Sequence, residues 1–268
     1  MKDFRSRFGF HSTPFTRELE VRDRFEVETF KEAKRAILNA LDMRMSCALI
    51  AAAGLGKTAL LRDVIAELPE ARYRVHYVKV ADLSKRDMCR EIATAIGLTP
   101  SGTFPALVRN LQKRLLETTD GEGLRPVIIL DDAHEIRPNV LGMFRTITNF
   151  AMDSRLVLSI VLAGQSPLRE LLRRDDLDDV AKRLAHCATL RPLSREETHR
   201  YVEHRCTIAG ATKGPFDPKA QEALFEVGRG NLRATDHLAL KTIEVTHDQN
   251  HDLCDQTHVA LARKLLWP

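Results

Sequence analysis

Two short runs hold the residues best suited to chemistry. The first is AAAGLGKT, residues 51–58, set between the apolar run Cys47–Ile50 and the start of a helical pattern. In such a turn successive backbone N–H groups point inward, and the helix that follows adds partial positive charge at its N-terminus. The run therefore suits a chain of phosphates. Gly54 and Gly56 let the backbone wrap closely, Lys57 reaches the β- and γ-phosphates of ATP, and Thr58 ligates Mg²⁺. The expected nucleotide-binding set is Ala53, Gly54, Leu55, Gly56, Lys57, Thr58 and Ala59. Ala51 stands where the usual pattern has glycine. If that position needs positive φ, alanine costs on the order of 1 kcal/mol, and otherwise little is lost. A chance GK[ST] at a helix start is the competing reading. The second run is VIILDD, residues 127–132, a buried strand that delivers acids at its C-terminal end. Open α/β sheets bind ligands there. Asp131 is expected in the Mg²⁺ shell, and Asp132 beside the attacking water. Alone, four apolar residues and two acids also describe any strand end before a turn; the phosphate-binding run upstream gives the pair its meaning.

These runs need a scaffold, and the rest of the sequence supplies one. Helical periodicity begins near Thr29 (Phe30, Ala33, Ile37, Leu38, Leu41) and returns after Lys57, through Leu68. Val75–Val80, Val127–Leu130, Leu156–Ala163 and, more weakly, Cys187–Leu190 read as strands beside Cys47–Ile50. Ser84 and Thr103 are N-cap candidates for helices Lys85–Ile96 and Phe104–Thr118, and a further helix follows Pro138. Short strands alternating with helices predict an α/β fold with a parallel sheet of five strands covered by helices on both faces. After Pro192 the strands stop. Ser194 and Glu197 form a capping box, Asp217-Pro218 opens another helix, and Asp255 caps a last one ending near Leu266. The expected division is an aromatic and basic N-terminal arm over 1–26, an ATPase core over 27–191 and a small all-helical lid over 192–268.

Three further residues sit where a second layer of the site belongs. Gln165 follows the fourth strand. It is either a sensor for the γ-phosphate and the attacking water or a loop glutamine capping the next helix. Arg183 precedes the fifth strand. It is either an arginine finger reaching a neighbour's γ-phosphate or an ordinary solvated or salt-bridged arginine. Arg233 opens a helix of the lid, as a second sensor or as an exposed helix-start charge.

Bulk properties narrow the setting. The formal charge of +4 and a pI near 8.8 permit a nucleic-acid partner without demanding one. Five scattered cysteines with no C-x-x-C pair fit a reducing compartment. No apolar run approaches the ~20 residues that span a bilayer, and the N-terminus lacks the apolar stretch of a signal peptide. A cytoplasmic protein is expected, without membrane contact. His247, His251, Cys254 and His258 have metal-like spacing, but Asp248-Gln249-Asn250 breaks the helix between them, which argues against a zinc site.

Together these pieces resemble one AAA+ P-loop family over nearly the whole chain. It comprises the transposition ATPases of the TnsC/TniB/MuB group and the related ExeA/GspA secretion ATPases. The opening FGFHSTPFTREL and the later LDDAHEI, NFAMDS, VLAGQSPLRELL, PLSREETHRYVEHRCTIAGA and GRGNLRATDHLAL match in order and spacing. The resemblance implies an ATPase that self-assembles, with ATP, into a hexameric ring or helical filament. In the transposition members this forms on duplex DNA and recruits the transposase. Lys85, Arg86 and Arg137 then become candidates to line a DNA channel, each against the plainer reading of a solvated surface charge. The Arg-rich arm (Arg5, Arg7, Arg17, Arg22, Arg24) is an equal candidate for DNA, or packs beside the adenine. The chain departs from the family at Ala51, at Asn231-Leu232 before Arg233, and at Asp132, where glutamate is usual. Aspartate is one methylene shorter, and misplacing a catalytic group by ~1 Å can cost about 100-fold, so slow hydrolysis is expected. The PFTREL opening, the NFAMDS segment and the lack of a membrane segment after the ATPase favour the transposition branch. A secretion or envelope assembly ATPase acting on protein is the alternative, followed by a nucleotide-gated signalling switch.

Overall fold

Three strands of the chain are apolar at nearly every position, the pattern of strands covered on both faces. The computed structural model describes residues 4–266. In chain order the elements are α1 (Phe4–Phe8), α2 (Glu28–Asp42), β1 (Ser46–Ile50), α3 (Lys57–Glu67), β2 (Tyr73–Lys79), α4 (Lys85–Ala95), α5 (Phe104–Leu116), β3 (Arg125–Asp131), α6 (Pro138–Leu141), α7 (Phe144–Ile147), β4 (Ser159–Gly164), α8 (Ser166–Leu172), α9 (Asp178–Ala181), β5 (Leu184–Thr189), α10 (Arg195–Ile208), α11 (Pro218–Gly228), α12 (Leu232–Asp248) and α13 (Gln256–Leu266). The five strands form one parallel sheet in the order β2-β3-β4-β1-β5. The apolar strands β1, β3 and β4 are the central three, and the more polar β2 and β5 are the edges. The fold class read from the sequence is the one observed.

The chain divides into two compact units: Glu28–Ala53 with Lys57–Leu190, and Met1–Val27 with Gly54–Gly56 and Arg191–Pro268. In the first, the sheet packs on residues such as Met88, Ile92, Leu107 and Leu111 from α4 and α5. Ser84 caps α4, accepting the Asp87 N–H at 3.2 Å. Thr103 makes no side-chain cap bond to α5. Pro105, at the second helical position, removes one of the two N–H groups a capping hydroxyl binds. The fourth strand starts later than its apolar run, since Leu156 is half exposed.

In the second unit the predicted caps are in place. Ser194 and Glu197 close a capping box. Asp217 accepts the Ala220 N–H, and Asp255 accepts those of Thr257 and His258. The Arg191 guanidinium beside Glu197 pulls that carboxyl down to about 2. The opening segment is not a loose arm. Phe10 and Phe15 are buried in the same core as Val202, Cys206 and Leu238. Arg7 binds Asp252 and Asn250, and Arg205 donates to the Thr16 carbonyl at 2.6 Å. α12 stops at Asp248 and Asn250 takes φ 60, so His247 and His251 lie on opposite sides of a break. Among the described residues no helix is long and apolar enough to cross a membrane.

Candidate functional site

Parallel pairing sets the carboxyl ends of the central strands side by side. Asp131 on β3 lies opposite Ala163 on β4, and Ile50 on β1 lies opposite Gly164. The Ala51 N–H continues this ladder to the Gly164 carbonyl at 2.9 Å. Ala51 is not among the described non-glycine residues with positive φ, so alanine is free of backbone cost there. Gly54 and Gly56 do take positive φ, 81° and 86°, which glycine adopts at no steric penalty. Register alone thus brings the entry to the phosphate-binding run, Asp131 and Gln165 to one edge of the sheet.

Asp131 is the centre of the polar network. It is 3% exposed, and both carboxylate oxygens are engaged. Oδ1 meets the Lys57 ammonium and accepts the Asp132 N–H at 2.9 Å. Oδ2 accepts the Thr58 hydroxyl at 3.1 Å and the Tyr77 hydroxyl at 2.9 Å. Burial alone would raise the Asp131 carboxyl. Lys57, Tyr77 and the Asp132 N–H outweigh it and hold the group below its ordinary value. Tyr77, itself 44% exposed, is shifted up by burial and by its bond to Asp131. Lys57 also lies 3.0 Å from Asp132 Oδ1, so one ammonium bridges two acids. A pair of carboxylates that holds a cation in this way, beside a hydroxyl, fits Mg²⁺: the donors are hard oxygens, and Mg²⁺ takes few protein ligands besides water and phosphate.

Asp132 has φ 59 and ψ 34, in the left-handed region. Short acids and amides tolerate that region better than longer side chains. Aspartate therefore suits the backbone at this position, a reason for the departure from glutamate that its shorter reach does not supply.

Gln165 occupies the N-cap position of α8 but makes no side-chain cap bond. Its amide nitrogen instead lies 2.9 Å from His134 Nε2. The capping reading of Gln165 is thereby set aside. Arg183 makes a two-pronged ion pair with Asp153, one contact at 2.8 Å. Asp153 closes a turn in which Ala151, Met152 and Asp153 all have positive φ. Arg137 is likewise paired, with Asp82, and Arg86 donates to the Gly102 carbonyl at 3.0 Å. Lys85 and Arg86 are exposed in the first turn of α4.

In the helical unit Arg233 is exposed at the second residue of α12, and its backbone N–H donates to the Gly54 carbonyl at 3.2 Å. Asn231 caps α12 through the Ala234 N–H, and its side chain fills the space a Cβ at Gly54 would take. The Asn231-Leu232 departure thus has a packing role against the glycine turn.

Two participants escaped the sequence reading, Tyr77 and His134. Tyr77 lies opposite Ile129 in register, and its hydroxyl reaches diagonally to Asp131. The signal was a tyrosine close to the end of a strand, meaningful only once the pairing is known.

Residues 41–172 match the AAA domain family. General secretion pathway protein A of Aeromonas hydrophila is 30% identical over 178 residues, covering 66% of this chain and 32% of that protein. The chain therefore spans about a third of that relative's length. Among solved structures, Cdc6p from Pyrobaculum aerophilum superposes with a TM-score of 0.72 at 16% identity, covering 94% of this chain and 70% of that one. The Aeropyrum pernix ORC1 protein in complex with DNA gives 0.67 at 18% identity, covering 96% and 70%. Residues 41–172 thus match an AAA domain, and the chain shares the fold of these solved structures.

Proposed function

We propose that the chain is a regulator of DNA transposition that assembles with ATP on duplex DNA, as a ring or filament, and recruits or activates a transposase in the cytoplasm. The nucleotide half of this reading rests on one observation, the convergence of Lys57 and Thr58 on the buried carboxylate of Asp131. In this reading Ala53–Ala59 cradle the phosphates and Lys57 turns to them from the acids. Thr58 and Asp131 hold Mg²⁺, which neutralises charge on the phosphates when bound. Asp132 orients the water, at a slow rate set by its short reach. Gln165 reads the reacting centre. Arg233 is a second sensor, and Arg183 serves a neighbour once it leaves Asp153.

The DNA half is supported by the transposition-type segments FGFHSTPFTREL and NFAMDS. It is also supported by a fold shared with a protein solved in complex with DNA. Lys85 and Arg86 are the proposed phosphate contacts, with Arg137 joining if its pair with Asp82 opens. Each would add a salt-dependent, sequence-independent increment.

The identity to a secretion pathway protein favours a second reading, an assembly ATPase that acts on protein. Electron microscopy with duplex DNA and ATP, ADP or no nucleotide separates the two. Rings or filaments on DNA only with ATP are expected. Assembly that ignores DNA, or none at low salt, moves the assignment to the protein-directed ATPase.

A further inference from the structure

His134 is a buried polar residue that the nucleotide site as described leaves without a task. Its side chain is 10% exposed. It stands in a 3-10 turn, Ala133–Glu135, directly after β3. Its Nε2 lies 2.9 Å from the Gln165 amide nitrogen and 3.4 Å from Glu135 Oε1. Its Nδ1 is buried with no hydrogen-bond partner. A buried polar atom without a partner costs stability and calls for an explanation, of which a functional role is one.

The surroundings show how the contact is enforced. A Cβ at Gly164 would stand 3.0 Å from the His134 backbone nitrogen and 2.9 Å from Leu168 Cδ2. A side chain at Gly164 would push the turn after β3 away from the end of β4 by a few tenths of an ångström. The next residue is Gln165, so the same close approach brings the amide to the ring. For the amide N–H to donate here, the ring nitrogen facing it must carry its lone pair, with the ring proton on Nδ1. The amide nitrogen is then committed to the imidazole, and the amide oxygen is the group left for the site. A carbonyl oxygen accepts a hydrogen bond from water and repels a phosphate oxygen.

We propose that His134 is the positioning residue for Gln165, holding the amide by its nitrogen so that its oxygen orients the attacking water instead of binding the γ-phosphate. This rests on the nucleotide site proposed above and assigns Gln165 one of the two sensor duties.

The test compares His134→Leu, His134→Gln, Gln165→Ala and the double variant His134→Leu/Gln165→Ala. Leucine removes both the acceptor and the orphaned Nδ1. Glutamine keeps an acceptor at similar reach. The expected result is a kcat about 10–100-fold lower in His134→Leu and Gln165→Ala, as for loss of an outer-shell partner. The double variant should fall no further, and His134→Gln should recover most of the rate. KM for ATP and the affinity for ADP should stay as in the wild type, with Tm unchanged or higher in His134→Leu. Independent losses that multiply in the double variant, or an ATP affinity that falls with kcat, would overturn the assignment. Nitrogen-15 NMR of the imidazole reads the same claim without hydrolysis, so it stands even if the ATPase assay fails. The Nδ1–H tautomer, perturbed by Gln165→Ala, is expected. An Nε2–H tautomer, or indifference to Gln165→Ala, rejects the proposal.

Discussion

The same three groups meet twice in this molecule, an acid, a cation and a tyrosine hydroxyl, with opposite results. At the sheet edge Asp131 meets Lys57 and Tyr77. In the helical unit Asp236 meets Arg205 and Tyr201, with contacts of 3.2 Å and 2.7 Å. Asp131 is held below its ordinary value. At Asp236 burial wins over Arg205 and Tyr201 and pushes the carboxyl up to about 6. The cations differ in kind. Lys57 is a point charge on a flexible stem, shared between two acids. Arg205 is a planar fork that also binds the Tyr201 hydroxyl, the Thr16 carbonyl and the faces of Phe15 and Tyr201. One trio can release its cation to an anionic ligand; the other ties the opening segment to the helical core for good.

Removing each cation should therefore damage different properties. Lys57→Ala should weaken ATP binding by more than about 100-fold, because it deletes the phosphate contact. It should also lower Tm, but by less than the loss of Arg205, since Asp131 keeps Thr58, Tyr77 and the Asp132 N–H. Arg205→Ala should act mainly on stability, costing about 3–5 kcal/mol by leaving a buried carboxylate unpaired. Nucleotide titration and thermal melts on both variants decide this, and retained ATP affinity in Lys57→Ala would break the contrast. Asp132→Glu sharpens it at the open end of the first trio. Turnover should rise about tenfold if reach limits the rate, at a stability cost of about 1 kcal/mol for a longer side chain in the left-handed region. A stability loss with no gain in rate would leave the backbone as the sole reason for aspartate. The smallest effects belong to the hydroxyls. Tyr201→Phe should cost about 1–2 kcal/mol, as for any buried hydrogen bond lost to one partner. Tyr77→Phe should leave Tm alone and shift the Mg²⁺ concentration needed for half-maximal hydrolysis a few-fold; an equal loss of stability in both would erase the distinction.

What the sequence revealed is what is local in it. The glycine turn with Lys57 and Thr58 is contiguous, and the acid pair ends an apolar run, so both are readable without any fold. The five strands show because the central three are buried on both faces. Tyr77 and His134 were illegible because each depends on strand register and on the close approach at Gly164. Thr103 does stand at the N-cap of α5, as expected, without a side-chain bond. The opening aromatic segment reads as an arm because Gly9 and Pro14 interrupt its pattern, yet Phe10 and Phe15 find their core among residues from the far end of the chain. Asp132 was read as a question of reach, while its backbone angles add a cause that no residue type reveals.

The strand order has a consequence for how this protein is made. Cys47 pairs with Val161 on one side and His186 on the other, so the strand leading into the glycine turn has no partner until β4 is made and lacks its second until β5 follows. At a synthesis rate of roughly 5–20 residues per second that delay is on the order of ten seconds. Through that interval the nascent chain carries an unpaired apolar strand. The segment that defines the enzyme is thus the one most in need of shelter while the ribosome is still at work.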